Sequence, residues 1–430
     1  MKKIYRNVNI LNGTKDMFLQ ENMMLTVEDG KIVSIEESKN VNGDNVIDLN
    51  GKYLIPGLIN LHVHTPGTGF PKKKETDSRK LAKLVMSNAL LRAYGKKMCR
   101  DSMKTQVLSG CTTIRTVGGL GHFDSALRDE IKAGKVVGPR VVACDQAVTI
   151  PGGHMEGSVA VGANSDEEFV KFIEDNVKSG VDWIKIMVTG GVLDAKVLGE
   201  PGELKMSAHQ VKVCCDTAHR LGMKVCAHVE SPKGIVVALE NGVDSIEHGA
   251  NMTEETIKNF KQKGAVLVCT LSPAIPLAEF SQDLTKANDV VVYNTKVLLN
   301  GIINGTKEAL QEGITVGLGT DTCCPFVTHY DMWRELEYYH HLVGVSRNEA
   351  LHTATEVNAT ILGLENETGT IEVGKAADFI VTEKNPLDGF DTIRKPVMVC
   401  AQGKEYFNPQ VKKNEVCEAE LDKYLYSLKD

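Results

Sequence analysis

The sequence lacks several features that mark common classes of protein. No run of about 18 apolar residues occurs anywhere in the 430 residues, and no apolar stretch of signal-peptide length follows the basic residues behind Met1. No cluster of Lys and Arg is interleaved with aromatic residues, and the formal net charge is -7. These absences predict a cytoplasmic protein that neither spans a membrane nor binds nucleic acid, and they favour small-molecule chemistry.

Cysteine is present without the spacing that would give it a structural role. The 11 cysteines include no Cys-x-x-Cys zinc pair, and Cys214–Cys215 and Cys323–Cys324 are adjacent pairs. A chain of this length does not suggest a disulfide framework, so we expect reduced thiols that pack as small hydrophobic groups.

The chain is long enough for a large domain and a smaller one, since single cores usually stop growing at roughly 250 residues. Residues 1–56 alternate apolar and polar side chains and contain Asn-Gly and Asp-Gly turns at Asn12 and Asp29, which indicates an antiparallel sheet. A similar pattern returns near the C-terminus. We predict that 1–56 and 364–410 together build one small β-sandwich domain, and that 411–430 form a helical tail.

Between these ends, short apolar runs alternate with helical stretches over residues 57–363. Eight runs have the character of strands: 57–63, 112–117, 140–147, 183–188, 224–229, 244–248, 265–271 and 315–319. Nearly continuous hydrophobicity is typical of parallel strands that are covered by helices on both faces. No Gly-x-Gly-x-x-Gly fingerprint opens the first unit, which argues against a Rossmann fold. We therefore predict an α/β protein whose 57–363 segment is a (β/α)8 TIM-like barrel.

The ends of several helices are also visible in the sequence. Ser165, Ser207 and Ser346 are each followed three residues later by Glu or Gln, which is the pattern of a capping box. Gly180 and Gly222 fall where the first two of these helices should end. The pattern thus predicts helices that begin after these serines and connect the strands.

Six polar side chains lie on or just after the predicted strands. They are His62 and His64 on the first strand, Lys185 on the fourth, His228 on the fifth, His248 on the sixth and Asp321 after the eighth. Two histidines at i and i+2 on a strand share one face, as a pair of metal ligands would. A single buried histidine is more often a hydrogen-bonded core residue, and an aspartate after a strand is commonly a helix cap. It is the set as a whole that favours a metal site.

Lys185 is the least ordinary member of this set. It lies in the otherwise apolar strand 183–188, and an unpaired buried ammonium is costly, so this lysine must be neutralised, paired or modified. Addition of carbon dioxide to a neutral amine gives a carbamate, an anionic oxygen donor that can bridge two divalent cations. Four imidazoles, one carboxylate and one carbamate would suit zinc, with manganese, cobalt, nickel or iron as alternatives.

Several segments of the chain carry motifs of one enzyme superfamily. They are 54–64 (LIPGLINLHVH), 150–154 (IPGGH), 184–191 (IKIMVTGG), 245–249 (SIEHG), 319–321 (GTD) and 369–378 (GTIEVGKAAD). With these motifs the chain resembles the amidohydrolase superfamily, specifically its two-metal type with a carboxylated lysine. Within that superfamily it is most similar to the branch of Xaa-Pro dipeptidases and metal carboxypeptidases that is often labelled imidazolonepropionase-like.

The resemblance implies a role for each candidate residue. His62, His64 and Asp321 would bind one metal, His228 and His248 would bind the other, and carbamylated Lys185 would bridge both, with a nucleophilic hydroxide between them. Asp321 would carry a proton from that hydroxide to the leaving nitrogen. His154 would donate a hydrogen bond to the substrate's carbonyl oxygen, unless it only structures its loop. The resemblance also suggests a homo-oligomer.

One residue departs from that branch of the superfamily. Many members carry a tyrosine that holds the substrate's carboxylate two positions after the strand-five histidine, whereas this chain has Glu230. Its spacing from His228 directs Glu230 toward the same cavity, where it would repel a substrate carboxylate or contact an amine or another hydrogen-bond donor. An equal alternative is that Glu230 is a hydrogen-bond partner of a metal-bound histidine.

The favoured function is hydrolysis of an amide bond in a small molecule such as a dipeptide or an N-acyl amino acid. The same ligands would serve hydrolysis of a cyclic amide, a lactone or a phosphoester, and the fold does not choose between these reactions. A one-metal deaminase would have no use for a bridging lysine. A catalytically inactive scaffold is the least favoured alternative, because the set of six ligands is complete.

Overall fold

The structure is a computed structural model that describes residues 2–71 and 77–429. The run Lys72–Lys74, which the sequence predicts to be a solvated charge cluster, lies outside these ranges. Among the residues that are described, no helix combines the length and the apolar character that a membrane crossing requires.

The strands are distributed over the whole chain. In chain order they are β1 (Lys2–Ile10), β2 (Gln20–Glu28), β3 (Lys31–Glu37), β4 (Val46–Pro56), β5 (Leu58–Val63), β6 (Cys111–Thr116), β7 (Arg140–Ala143), β8 (Ala147–Thr149), β9 (Ala160–Gly162), β10 (Trp183–Met187), β11 (Lys224–Val229), β12 (Ser245–His248), β13 (Val266–Cys269), β14 (Val316–Leu318), β15 (Phe379–Thr382), β16 (Met398–Ala401) and β17 (Lys404–Phe407). Each of the eight predicted apolar runs contains a strand. The third run breaks after Ala143, and β8 begins at Ala147.

Most helices connect the strands of the middle segment. The α-helices are α1 (Ser78–Val85), α2 (Ala89–Leu108), α3 (Phe123–Lys132), α4 (Asp166–Lys178), α5 (Ala208–Arg220), α6 (Pro232–Glu240), α7 (Glu254–Lys263), α8 (Ala274–Glu279), α9 (Gln282–Thr285), α10 (Asp289–Gln311), α11 (Met332–Tyr338), α12 (Arg347–His352), α13 (Asn358–Leu362) and α14 (Glu415–Ser427). Short 3-10 segments cover Val192–Asp194 and Phe390–Arg394, and π-helical segments cover Tyr339–Val343 and Thr353–Val357.

The predicted helix caps are present. The side chains of Ser165, Ser207 and Ser346 each accept a backbone N–H from the first turn of α4, α5 and α12, and Ser207 forms the reciprocal capping box with Gln210. The helices α4 and α5 end just before Gly180 and Gly222, whose φ angles are 87° and 79°. Capping is a local interaction, so it could be predicted without knowledge of the tertiary fold.

Both ends of the chain meet in one seven-stranded sheet with the order β17-β16-β15-β4-β1-β2-β3. Its neighbours are antiparallel except for β1 and β4, which pair in parallel. The prediction that residues 1–56 form an antiparallel sheet is therefore wrong for this pair. After the β2–β3 hairpin the chain returns to the start of β1, where Ile4 N donates to Asn45 O at 2.9 Å, so β4 runs in the same direction as β1.

The middle of the chain forms parallel sheets, as the apolar runs predict. One sheet has the order β5-β6-β7 and the other has the order β14-β13-β12-β11-β10-β8-β9. Every residue of β5, β6, β10 and β12 is buried. An α/β fold with parallel strands is thus confirmed.

Hydrogen bonds connect these two parallel sheets at two places. At the junction of β5 and β14, Asp321 N donates to His62 O at 2.8 Å. At the same junction, Asn358 Nδ2 donates to Ile59 O at 2.6 Å and to Leu318 O at 2.9 Å. At the junction of β7 and β10, Asp182 N donates to Ala143 O at 2.7 Å. Through these contacts, the carboxyl ends of the strands that carry the candidate ligands face one common region.

Candidate metal centre

Four imidazoles and one carboxylate come together at the carboxyl ends of the parallel strands. The ring centroid of His248 is 4.7 Å from that of His62 and 4.7 Å from that of His228, and the rings of His62 and His64 are 5.4 Å apart. Asp321 Oδ1 lies 3.1 Å from His64 Nε2 and 3.5 Å from His62 Nε2. Residues from four different strands or strand ends therefore form one cluster.

Each of the four histidines has one ring nitrogen engaged by a neighbouring group. The contacts are His62 Nδ1 to Glu247 Oε2 at 2.8 Å, His64 Nδ1 to Gly118 O at 2.8 Å, His248 Nδ1 to Thr270 Oγ1 at 2.7 Å and His228 Nε2 to Gly190 O at 3.2 Å. Such contacts orient an imidazole and leave its other nitrogen for a metal ion. The available nitrogen is Nε2 in three of the rings and Nδ1 in His228.

His62 is held by a buried ion pair that the sequence reasoning did not identify. Glu247 Oε1 lies 2.6 Å from Arg115 Nη2, and Ser245 Oγ donates to the same oxygen at 2.6 Å. Burial opposes ionisation of Glu247, but Arg115 and His62 hold the pKa of its carboxyl well below its ordinary value. The sequence does contain a signal of this ion pair, because Arg115 and Glu247 are charged residues within strands that are otherwise almost free of charge.

Lys185 lies in the middle of β10, close enough for its charge to act on His62, His228 and His248. The residue is 1% exposed, and its Nζ has no hydrogen-bond partner among the described residues. Its positive charge, together with the stronger effect of burial, lowers the pKa values of His62, His228 and His248. Burying an ammonium group without a hydrogen-bond partner costs free energy of desolvation. These surroundings therefore fit a lysine that has become an anionic ligand.

The donor atoms also fit divalent cations by their chemistry and spacing. One ligand atom from each of His62, His248 and Asp321 lies within 4.8 Å of the others, and the same holds for His228, Glu230 and His248. Imidazole nitrogens and carboxylate oxygens are the usual donors to zinc and related metals. Burial lowers the pKa of His62 to about 4, so its ring is neutral and able to donate a lone pair near pH 7.

Two of the candidate ligands have strained backbones. His248 and Asp321 have φ angles of 70° and 56°, in the left-handed backbone region that residues other than glycine rarely adopt. Each such residue costs on the order of 1–3 kcal/mol, and strain of this kind is concentrated at functional sites. The strain occurs where the chain turns at the ends of β12 and β14 to aim these side chains at the cluster.

His154 and Glu230 lie beside the cluster rather than within its centre. The His154 ring stacks on His228 with a centroid distance of 4.1 Å and an interplanar angle of 10°. Glu230 is 6% exposed, and its Oε2 accepts the backbone N–H of Val192 at 2.9 Å. Burial and the neighbouring Asp321 raise the pKa of Glu230 well above its ordinary value.

A cavity opens next to Glu230. Its volume is about 430 Å³, and its lining includes Gly202, Leu204, Glu230, Asn251 and Leu298. This volume lies within the range of pockets that bind small molecules. Glu230 lines this cavity, whereas none of the six candidate metal ligands does, so the cavity lies beside Glu230 rather than over the cluster.

Comparisons with known proteins identify relatives of the chain by sequence and by fold. A model of the amidohydrolase family matches residues 53–406 of the chain. The crystal structure of a candidate prolidase from Bifidobacterium longum is 35% identical, covers 99% of both chains and has a TM-score of 0.86. A Xaa-Pro dipeptidase with methionine bound in its active site is 26% identical, covers 95% of this chain and 100% of that chain, and has a TM-score of 0.82. Ochratoxinase from Aspergillus niger is 27% identical over 373 residues, which cover 80% of this chain and 73% of that protein.

The buried histidines predict that the metal-free protein loses stability in acid. Burial lowers the pKa of His62 and of His329 to about 4, whereas the unfolded chain takes up these protons near pH 6.5. Stability should therefore fall as the pH decreases from about 6.5 to about 4, by on the order of 3 kcal/mol for each residue. We expect His329→Gln to reduce this pH dependence of the urea unfolding midpoint.

The matched control is His209→Gln, because His209 is exposed. Its unfolding midpoint should vary with pH as that of the wild type does. If His329→Gln also retained the full wild-type pH dependence, the predicted acid destabilisation would be wrong.

Proposed function

Because the chain belongs to the amidohydrolase family, we propose that it is a metal-dependent hydrolase that cleaves an amide bond of a small molecule such as a dipeptide or an N-acyl amino acid. Hydrolysis of carbon–nitrogen bonds is the activity that its named relatives have in common. The observation that carries the proposal is the buried Lys185 amine, which has no hydrogen-bond partner within the described part of the chain and whose charge acts on His62, His228 and His248.

We infer that the two parallel sheets close into the predicted (β/α)8 barrel. Its strands would be β5, β6, β7 continued by β8, and β10 to β14, in that order around the barrel. The contacts that Asn358 makes with β5 and β14, and the hydrogen bond from Asp182 to Ala143, support closure at the two junctions. The β-sandwich character of the end domain, the domain boundaries and the homo-oligomeric state stay predictions.

Two divalent cations, zinc by preference, would be held by the six predicted ligands. His62, His64 and Asp321 would bind one cation, His228 and His248 would bind the other, and Lys185 would bind both as a carbamate. When bound, the cations would lower the pKa of a water molecule and polarise the scissile carbonyl group. The engaged ring nitrogens support this assignment, because each imidazole is held through one nitrogen by a group outside the ligand set.

Asp321 is the proposed general base and acid. Burial opposes its ionisation, but His62 and His64 keep the pKa of its carboxyl well below the ordinary value, so it begins as a carboxylate. Oδ1 would accept the proton of the attacking water and deliver it to the leaving nitrogen. Amide hydrolysis needs this delivery because an amide anion is a poor leaving group.

His154 and Glu230 are the proposed substrate contacts. His154 would donate a hydrogen bond to the carbonyl oxygen as negative charge develops there. Glu230, at the wall of the 430 Å³ cavity, would disfavour a free carboxylate and favour an amine or another donor. In the alternative, Glu230 is a hydrogen-bond partner of His228, but Glu230 Oε1 lies 3.9 Å from His228 Nε2, which is longer than a hydrogen bond.

The first test is removal of the bridging lysine. We expect the wild-type protein, loaded with zinc in bicarbonate, to contain about two metal ions per chain and to hydrolyse at least one dipeptide or N-acyl amino acid. Lys185→Ala should lose bound metal, and its kcat/KM should fall by more than roughly 100-fold. Added short-chain carboxylates should restore part of the activity, because they supply the missing bridging oxygens.

Lys178→Ala, at the exposed end of α4, is the matched control and should behave like the wild type. The substrate panel should also contain cyclic amides, lactones and phosphoesters. If the protein acted on only one of these classes, that class would take the place of an amide as the proposed substrate, and the proposed metal site would be unchanged. A metal-loaded protein that hydrolyses nothing, or a Lys185→Ala variant with full metal content and activity, would refute the proposal.

The second test concerns Glu230. Replacing its acidic group with a tyrosine hydroxyl should let the cavity hold a carboxylate, so Glu230→Tyr should favour a dipeptide over its C-terminal amide by about 10-fold more than the wild type does, a change of about 1.4 kcal/mol. Competition kinetics with the two substrates measure this ratio. Glu203→Tyr, a change on the exposed rim of the same cavity, is the control. An unchanged ratio in Glu230→Tyr would show that Glu230 does not select the substrate.

A further inference from the structure

The loop after β10 brings a carboxylate to the His154 ring. Asp194 ends the 3-10 turn of this loop, and its Oδ2 lies 2.5 Å from His154 Nδ1. The same oxygen accepts the backbone N–H of Gly191 at 3.1 Å, which fixes the carboxylate within the loop. Because a carboxylate can only accept here, His154 Nδ1 carries the proton, and Nε2 is the nitrogen left to face a substrate.

Two further contacts hold the plane of the His154 ring. One face stacks on His228 at 4.1 Å, and a Cβ placed on Gly191 would lie only 2.6 Å from His154 Cε1. The ring is therefore confined between a candidate metal ligand and the backbone of the loop. Its side chain is still 15% exposed, so one edge reaches the open side of the cluster.

We propose that Asp194 is a positioning residue that sets the orientation of His154 and the location of its proton for the reaction. The inference rests on the proposed function, because it requires a substrate whose carbonyl oxygen His154 contacts. Without the carboxylate, the imidazole loses the acceptor that holds Nδ1, and the ring can turn about its side-chain torsions. Partners that orient a functional histidine typically contribute about 10- to 100-fold to its activity.

Kinetics of five variants test the proposal. Asp194→Ala should lower kcat by about 10- to 100-fold, with KM changed by less than about threefold. Asp194→Asn, whose amide oxygen can accept the same hydrogen bond, should recover most of that loss. The double variant with His154→Gln should be no less active than His154→Gln alone, because Asp194 acts only through the ring. Asp166→Ala removes an exposed pair with His209 at 2.8 Å and should leave kcat unchanged.

A second readout does not depend on activity. The short hydrogen bond should give a far-downfield proton NMR signal that is present in the wild type and in Asp166→Ala and is lost in Asp194→Ala and in His154→Gln. All variants should bind as much metal as the wild type. Wild-type kcat in Asp194→Ala, or losses that add in full in the double variant, would overturn the inference. A wild-type protein that hydrolyses no amide would instead refute the proposed function.

Discussion

The proposed metal site depends on the chemical state of one lysine, Lys185, whose amine is buried in the strand β10. Lys185 has buried neighbours on both sides along β10, and its amine lies beside imidazoles whose pKa values it lowers. A permanent cation at this place would be unpaired and poorly solvated, which few folded proteins tolerate. Conversion of the amine into an anion would remove the problem and would also supply the negative charge that two cations require.

The groups around this lysine are arranged as supports for a charged centre. Arg115 and Glu247 form a fully buried ion pair, and Glu247 in turn fixes His62. Backbone carbonyl groups of loops fix His64 and His228, so the rings are held from outside the cluster. Removal of Glu247 would free the His62 ring to rotate and would also leave Arg115 buried without its carboxylate partner, so this support serves both the site and the stability of the fold.

Much of the fold, and the candidate residues that come together in it, could be predicted because their signals are local. Strands that are buried on both faces give continuous apolar runs, and in such a run Lys185 stands out immediately. Serine caps likewise act within one helical turn. The parallel pairing of β1 with β4 could not be predicted, because it depends on where the chain returns after the β2–β3 hairpin. Asp194 was also missed, because its loop sequence does not distinguish it from any solvated aspartate.

The most direct test of the central claim is X-ray diffraction from crystals grown with zinc and bicarbonate, with data collected on both sides of the zinc absorption edge. We expect two anomalous peaks among His62, His64, His228, His248 and Asp321, with electron density for a carbamate joined to Lys185 Nζ between them. A single peak, no peak, or an unmodified amine that points away from bound zinc would contradict it.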